Sequence, residues 1–314
     1  MAKTMTPKER AIAALTCNIP DQIPTFELEF QLTKEYTGKD YLYEQDLEGL
    51  SASQIDIKLH ENAEFMIRLF EKLEYAIIPI NYLNFKHQLE TARIIRKMTG
   101  DKFMLTRHGD GTFSIPDGND MYDFAYRIAD DPEGVHKDAD DMANKAIEEN
   151  KKAMDAGFDS FILCSDYCYN TGPFFSPQMF REFVTPYLHR IIRGIRDGGA
   201  YAIKHTDGNI MPILDQLAEC EPHAIHSLDP MAKVDIKEVK RLIGDRICLC
   251  GNVNCALMQT GTEEEVIASA EYAIEHGKPG GGYIYCTSNV PFHGLPLDRY
   301  LLVLDVWKKH REYW

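Results

Sequence analysis

Downstream of residue 131 the sequence alternates short apolar runs with segments that carry helix-start and helix-stop signals. Matching points of three successive apolar runs fall near residues 203, 226 and 249, about 23 residues apart, and the next run is centred near 284. Strands that are separated by single helices at this spacing form parallel βαβ units. The alternation therefore predicts an α/β fold built on a parallel sheet.

The apolar runs along the whole chain add up to eight strands, so we predict a (β/α)8 TIM barrel formed by a single domain over residues 1–314. A doubly wound sheet is the alternative, but no glycine-rich phosphate-binding turn follows the first strand. The length of 314 residues suits one large barrel. The predicted strands are 25–30, 75–80, 103–107, 161–166, 201–206, 223–229, 247–252 and 282–287.

The least regular part of the sequence lies between residues 81 and 128. It contains RHGDGTFSIPDGND, which is rich in turn-forming residues and has only weak periodicity. We therefore predict an irregular or hairpin insertion there. The first helix is much better marked, because Thr6 and Glu9 form the pattern of a capping box at the start of residues 7–16.

The overall charge narrows the choice of partners. A formal net charge of −15 repels phosphate groups, which argues against nucleic acid and anionic membrane surfaces as partners. The N-terminus lacks the apolar core of a signal peptide, and no run of about 18 apolar residues occurs. We expect a cytoplasmic protein whose eight cysteines are reduced. A homodimer is left open.

Polar side chains gather at the carboxyl ends of the predicted strands, where the active sites of such barrels lie. Each alone has a structural explanation: a histidine or thiol that only packs, or a carboxylate that caps a turn or pairs with a lysine. Together they place carboxylates, an imidazole and a thiol on one rim. The residues concerned are Glu27, Glu29, Asp166, His205, Asp207, Asp229, Asn252 and Cys286.

Three of these residues form a candidate metal site. His205 and Cys286 end the fifth and eighth predicted strands, and a neutral imidazole with a thiolate suits zinc. Asp207 can supply a third ligand and leave one coordination position open for substrate. We therefore predict a zinc site formed by His205, Asp207 and Cys286.

Several longer stretches resemble the uroporphyrinogen decarboxylase superfamily. They are HTDGNIMPILDQL, GDRICLCGNVN, GTEEEV and GGGYIYCTSN, together with the opening PKERAIAALTCNIPDQIPTFE. The similarity covers nearly the whole chain and is weakest between residues 81 and 128. The resemblance implies the barrel fold and two branches of activity.

One branch is the decarboxylase, which binds a tetrapyrrole with eight carboxylates and has an arginine-rich segment just after its first strand. Here that segment reads FELEFQLTKEY, and no arginine occurs between Arg10 and Arg68. An acidic first loop is a poor receptor for a polyanion. Decarboxylation of uroporphyrinogen or of a smaller carboxylic acid, with Lys204 or Arg107 as the basic group, is kept as the alternative.

The other branch is the corrinoid-dependent methyltransferases, in which a His-x-Cys pair and a later cysteine hold zinc. His205 matches the first ligand and Cys286 the last, whereas Asp207 replaces the middle cysteine. A carboxylate in place of a thiolate favours oxygen substrates. The resemblance therefore implies a methyltransferase, and the departure from its pattern favours demethylation of a methyl ether such as a methoxylated aromatic compound (an O-demethylase).

The implied reaction needs a metal, a corrinoid and a proton donor. The sequence has no Asp-x-His-x-x-Gly cobalamin-binding motif, so we expect a separate corrinoid protein as the partner. Zinc, or a cluster of acids without zinc, would stabilise the departing oxygen. A barrel that only binds a ligand is the third possibility, and the polar strand ends argue against it. The predicted acids are Asp166, Asp207, Asp229 and Glu29, and the predicted substrate contacts are Glu27, Phe26, Tyr167 and Asn252.

Overall fold

The computed structural model describes residues 4–314, in which nine strands and thirteen α-helices are found. Seven parallel strands form one curled sheet in the order β1-β2-β3-β6-β7-β8-β9, and β4 and β5 form a small antiparallel hairpin. The strands are β1 Ile77–Pro79, β2 Met104–His108, β3 Ser160–Leu163, β4 Cys168–Tyr169, β5 Gly172–Pro173, β6 Tyr201–His205, β7 Ala224–Ser227, β8 Cys248–Val253 and β9 Tyr283–Thr287.

The helices lie mainly between successive strands of the sheet. The capping box of Thr6 and Glu9 forms as predicted, and Thr262 and Glu265 form a second one at the start of a later helix. The helices are α1 Pro7–Leu15, α2 Thr33–Thr37, α3 Ala52–Lys72, α4 Phe85–Thr99, α5 Met121–Asp130, α6 Pro132–Asp155, α7 Pro177–Phe183, α8 Thr185–Asp197, α9 Leu214–Glu219, α10 Ile236–Ile243, α11 Cys255–Thr260, α12 Glu263–Gly277 and α13 Leu297–His310.

The strand order confirms the parallel α/β prediction and separates the two candidate folds. Within the main sheet each strand pairs with the next one along the chain, and the order never reverses as it does in a doubly wound sheet. Strands β3, β7, β8 and β9 are buried at every position, as expected for a parallel sheet with both faces covered. None of the helices within residues 4–314 combines the length and hydropathy that a membrane crossing requires.

The prediction of eight strands and a closed barrel is confirmed only in part, because residues 25–30 form no strand. This segment fills the gap between β1 and β9, where the Thr25 carbonyl accepts from Ala76 N at 2.8 Å and Tyr285 N donates to the Pro24 carbonyl at 3.0 Å. Further along, the Glu27 carboxylate accepts from Thr287 N at 3.2 Å. The Glu27 side chain thus replaces the backbone carbonyl that would accept this hydrogen bond in a strand. The backbone pairing with β9 therefore ends after the single bridge between Thr25 and Tyr285.

The segment that was predicted to be irregular, 81–128, contains regular elements. Residues 85–99 form α4, capped by Asn84, whose side chain accepts from His87 N at 3.0 Å. The prediction was wrong there because the buried face of α4 includes polar residues, among them Gln88 and Thr91, which hide the apolar period of an amphipathic helix. Strand β2, Met104–His108, forms within one residue of the strand predicted at 103–107.

Candidate metal centre

One imidazole and two carboxylates converge at the carboxyl end of the sheet. His205 is the last residue of β6, Asp207 follows two residues later, and Asp166 follows β3, the strand that pairs with β6. His205 Nε2 lies 3.6 Å from Asp166 Oδ1 and 3.8 Å from Asp207 Oδ1. One donor atom of each residue falls within 4.8 Å of the others, so the three could hold a metal ion.

The turn after β6 is built by contacts with the hairpin β4–β5. Asp207 N donates to Asp166 Oδ1 at 2.9 Å, and Asn209 N donates to the Tyr169 carbonyl at 2.9 Å. Gly208 has a φ of +82°, and a Cβ there would lie 2.3 Å from the Cys168 carbonyl oxygen. Only glycine fits this close approach with positive φ, so the sequence HTDGN at 205–209 forms a turn that fixes Asp207 against the hairpin.

The electrostatics of the cluster suit a cation. Burial, with Lys204 and His108 nearby, lowers the pKa of His205 to about 3, so the imidazole is neutral and keeps a lone pair. Burial and the charges of Asp166 and Asp229 raise the pKa of Asp207 to about 7. A neutral imidazole and two carboxylates that pair with no lysine or arginine of residues 4–314 form a donor set that zinc accepts. The residues present therefore fit the metal that the sequence predicted.

A cavity of about 380 Å³ adjoins the cluster at Asp207. Asn289 links the two, because its Nδ2 donates to Asp207 Oδ2 at 2.6 Å. Asp229 also lines the cavity, and its Oδ1 accepts from Met231 N at 2.9 Å. Within residues 4–314 the lining includes no lysine or arginine; it consists of Asp207, Asp229, Met231, Cys255, Ala256, Gln259, Ser288, Asn289, Val290 and Phe292.

Of the three predicted metal ligands, the structure brings together His205 and Asp207 but not Cys286. Cys286 is fully buried in β9, and burial beside Glu27 and Cys248 raises the pKa of its thiol well above the ordinary value. Strands β7 and β8 separate β9 from β6, and neighbouring strands lie about 4.8 Å apart. Asp166 takes the third position because β3 is the direct neighbour of β6.

Of the three predicted site residues near the N-terminus, none is part of the cluster, and Glu27 instead links residues 25–30 to β9. Glu27 is 1% exposed, and its carboxylate accepts from Thr287 N and, at 2.6 Å, from Thr287 Oγ1. Phe26 is fully buried and meets His226 edge-on. Glu29 is partly exposed and accepts from Gln31 Nε2 at 2.9 Å and from the Tyr82 hydroxyl at 3.4 Å.

The remaining predicted substrate contacts are also buried and already bonded within the protein. Tyr167 is 1% exposed, and its hydroxyl forms a hydrogen bond of 2.6 Å with Thr112 Oγ1. Asn252 donates from its amide to the carbonyls of Leu228 and Val234, which braces the loop after β7. The expected contacts with substrate at Glu27, Phe26, Tyr167 and Asn252 thus find no support in this arrangement.

The basic residues that a decarboxylase would use are engaged elsewhere. Lys204 is fully buried, and its Nζ donates to Asp110 Oδ2 at 2.9 Å and to the carbonyls of Leu163 and Ser165. The Arg107 guanidinium is buried as well and donates to Gln88 Oε1 at 2.9 Å. A lysine ammonium has three protons, so Lys204 has none left for a substrate.

Two residues that contact the cluster were missed by the sequence analysis. His226 lies opposite His205 in the register of β6 and β7, and the two Nδ1 atoms are 2.8 Å apart. Asn289 bonds to Asp207 from the loop after β9. A signal was present for both, since a histidine interrupts the apolar run AIHSL and an amide closes the run YIYCTSN.

Comparisons with known proteins show the family and the fold of this chain. The family described as uroporphyrinogen decarboxylase (URO-D) matches residues 63–302. A uroporphyrinogen decarboxylase of Pseudoalteromonas translucida (strain TAC 125) is 24% identical over 165 residues, which are 49% of this chain and 42% of that protein. The methylcobamide:CoM methyltransferase MtaA of Methanosarcina barkeri is 22% identical over 213 residues, 66% of this chain and 60% of that protein.

Among solved structures, a methyltransferase from Methanosarcina mazei superposes with a TM-score of 0.76 at 17% identity, covering 97% of this chain and 99% of that one. This similarity supports the fold over almost the whole length. By contrast, the matches to the first three uroporphyrinogen decarboxylases span only 42%, 66% and 45% of those proteins.

Proposed function

This chain belongs to the uroporphyrinogen decarboxylase (URO-D) family, and within it we propose that the chain is a methyltransferase. The proposed reaction moves a methyl group between a small methyl ether, such as a methoxylated aromatic compound, and the corrinoid of a separate protein. The observation that carries the proposal is the cluster of His205, Asp166 and Asp207 beside a cavity whose lining, among residues 4–314, has carboxylates but no basic side chain.

His205, Asp166 and Asp207 would hold the zinc ion in this proposal. Zinc bound there supplies Lewis-acid chemistry, which polarises an ether oxygen and stabilises the alkoxide or phenoxide that departs. A set of one nitrogen and two oxygens is harder than a set with thiolates, which favours oxygen over sulfur substrates. The corrinoid of the partner protein would supply the cobalt that gives up or accepts the methyl group.

The residues of the chain itself bind the substrate and handle the proton. Asn289 holds Asp207 in place through the bond to Oδ2, which leaves Oδ1 directed towards His205 Nε2. Asp229 is the cavity carboxyl outside the cluster, so we assign to it the proton transfer to or from the leaving oxygen. Phe292, in the same cavity, offers an aromatic face to an aryl substrate.

The main alternative, a decarboxylase, is supported by family membership and by the names of several relatives. That reaction needs cationic groups to bind carboxylates. Lys204 and Arg107 are buried and bonded within the protein, and the cavity has two carboxylates of its own. A polycarboxylate would therefore be repelled from this cavity, which favours the methyltransferase.

Metal analysis of the purified protein tests the proposal first. We expect about one zinc ion per chain, retained in Cys286→Ser and lost in His205→Ala, because Cys286 lies outside the cluster. Cys286→Ser is the matched control, since it changes a buried donor atom on a strand of the same sheet. Zinc that survives His205→Ala would contradict the site.

A methyl-transfer assay tests the reaction itself. The zinc-loaded protein is mixed with a reduced free corrinoid and either a methoxylated phenol or uroporphyrinogen. We expect the absorbance of the methylated corrinoid to appear with the ether, and we expect His205→Ala to abolish it. Release of carbon dioxide from uroporphyrinogen without methyl transfer would establish the decarboxylase instead.

A further inference from the structure

A second buried histidine, His226, faces His205 from the neighbouring strand. His205 and His226 are partners in the parallel register of β6 and β7, so their side chains leave the sheet side by side. The Nδ1 atoms are 2.8 Å apart, and the ring centroids are 5.0 Å apart. Both residues are buried, His226 completely. A hydrogen bond between two neutral imidazoles requires that one ring donates and the other accepts.

The direction of this hydrogen bond decides whether His205 can bind a metal. If His205 donates from Nδ1, its Nε2 keeps a lone pair that points to Asp166 and Asp207. If His205 accepts instead, its Nε2 carries the hydrogen and can only donate to those carboxylates. A histidine that binds a metal through one ring nitrogen usually donates a hydrogen bond from the other.

The surroundings of His226 allow the first arrangement. His226 Nε2 makes no hydrogen bond to any residue in the range 4–314, so no N–H or O–H donor there requires this nitrogen to be an acceptor. A proton on Nε2 of a neutral ring leaves Nδ1 as an acceptor. The Nδ1 of His226 is the atom that faces His205.

We propose that His226 is a positioning residue for the metal centre: its Nδ1 accepts the Nδ1 hydrogen of His205 and so directs the Nε2 lone pair of His205 towards Asp166 and Asp207. The inference rests on the proposed function, because it takes His205 to be a metal ligand. His226 itself touches neither the substrate nor the metal in this role.

Two readouts that need no substrate test the inference. In the zinc-free protein, long-range ¹H–¹⁵N NMR of the histidine rings should find the His205 proton on Nδ1. Competition with a chelator should show that His226→Leu weakens zinc binding about 10–100-fold, the usual effect of losing such a partner. His226→Asn should stay within about threefold of the wild type, since its side-chain oxygen can accept the same hydrogen bond.

His223→Leu is the matched control. His223 is also an imidazole beside β7, and its Nδ1 accepts from Ala202 N at 3.0 Å at the opposite end of the strand pair. Zinc affinity should therefore be unchanged in this variant. Circular dichroism of each variant identifies a folding defect; if His226→Leu does not fold, the His205 tautomer and the His226→Asn affinity decide.

The inference is overturned by a His205 proton on Nε2, by wild-type zinc affinity in His226→Leu, or by His226→Asn binding as weakly as His226→Leu. Failure of the proposed function looks different. In that case His205→Ala would bind zinc as tightly as the wild type. That result would show that the cluster around His205 holds no metal, and not merely that His226 does not position it.

Discussion

The buried carboxyl of Glu27 should make the stability of the protein depend on pH, and Glu27→Gln should remove that dependence. Glu27 lies at the seam between residues 23–30 and β9, where it is 1% exposed and bonded to Thr287. Burial raises the pKa of this carboxyl from 4.5 to about 8. Between these two values the folded chain keeps a proton that the unfolded chain has released.

The sign and size follow from proton linkage. Because the folded state binds more protons, the free energy of unfolding falls as the pH rises from 4.5 towards 8, by about 1.4 kcal/mol per pH unit. From pH 5 to pH 7 the contribution of Glu27 falls by about 3 kcal/mol. Glutamine does not titrate, so the stability of Glu27→Gln relative to the wild type should rise by about 3 kcal/mol over that interval.

Urea unfolding at pH 5, 6 and 7 measures this difference. Trp307 reports on the seam, because it is buried and its Nε1 donates to the Ile23 carbonyl at 2.9 Å. Thr25→Val is the matched control: it removes the hydrogen bond from Thr25 Oγ1 to the Tyr285 carbonyl in the same seam, and no titrating group is lost. It should cost about 1 kcal/mol at every pH. A Glu27→Gln difference that is flat or falls with pH would refute the reasoning.

Three further changes test the site and its supports. Lys204→Met leaves the Asp110 carboxylate without its buried lysine, so the free energy of unfolding measured in urea should fall by about 3–5 kcal/mol. The exposed Lys237→Met should change that free energy by less than about 0.5 kcal/mol. Equal losses in the two variants would contradict the role of the buried pair. Gly208→Ala should lower stability and zinc content by much more than Gly280→Ala. Both glycines have a φ near +80°, but only at position 208 would the new Cβ collide with the hairpin backbone. Equal effects would show that the backbone strain of a positive φ is the whole cause. Asp229→Asn should lower turnover about 10²–10⁴-fold with zinc content unchanged, and unaffected turnover would assign the proton to another group.

Prediction from sequence located residues of the cluster where the signal was local. The run YAIK followed by HTDGN marks a strand end, and both His205 and Asp207 lie in the cluster. It failed where the answer depended on which strands are neighbours. Asp166 reaches His205 because β3 pairs with β6 while the hairpin between them stays outside the main sheet. Cys286 ends an equally clear strand, but two other strands separate it from β6.

The seam and α4 were mispredicted for a related reason. Residues 23–30 alternate like a strand, yet Glu27 bonds to Thr287 through its side chain, so the ladder stops. In α4 the side chains that face the interior include Gln88, whose amide donates to the Leu83 carbonyl at 2.7 Å. Polar groups that are satisfied inside the protein do not follow the apolar periods on which sequence interpretation depends.

The contacts between the hairpin β4–β5 and the turn after β6 determine the geometry of the proposed metal centre independently of which residues are its ligands. Asp166 lies just before the hairpin, and Asp207 is held against it by the backbone of Asn209 and by the close approach of Gly208. The separation of the two carboxylates is therefore set by hairpin residues that ligate nothing. Redesign of those hairpin residues alone should therefore change which divalent ion the proposed centre prefers, although its three ligands stay the same.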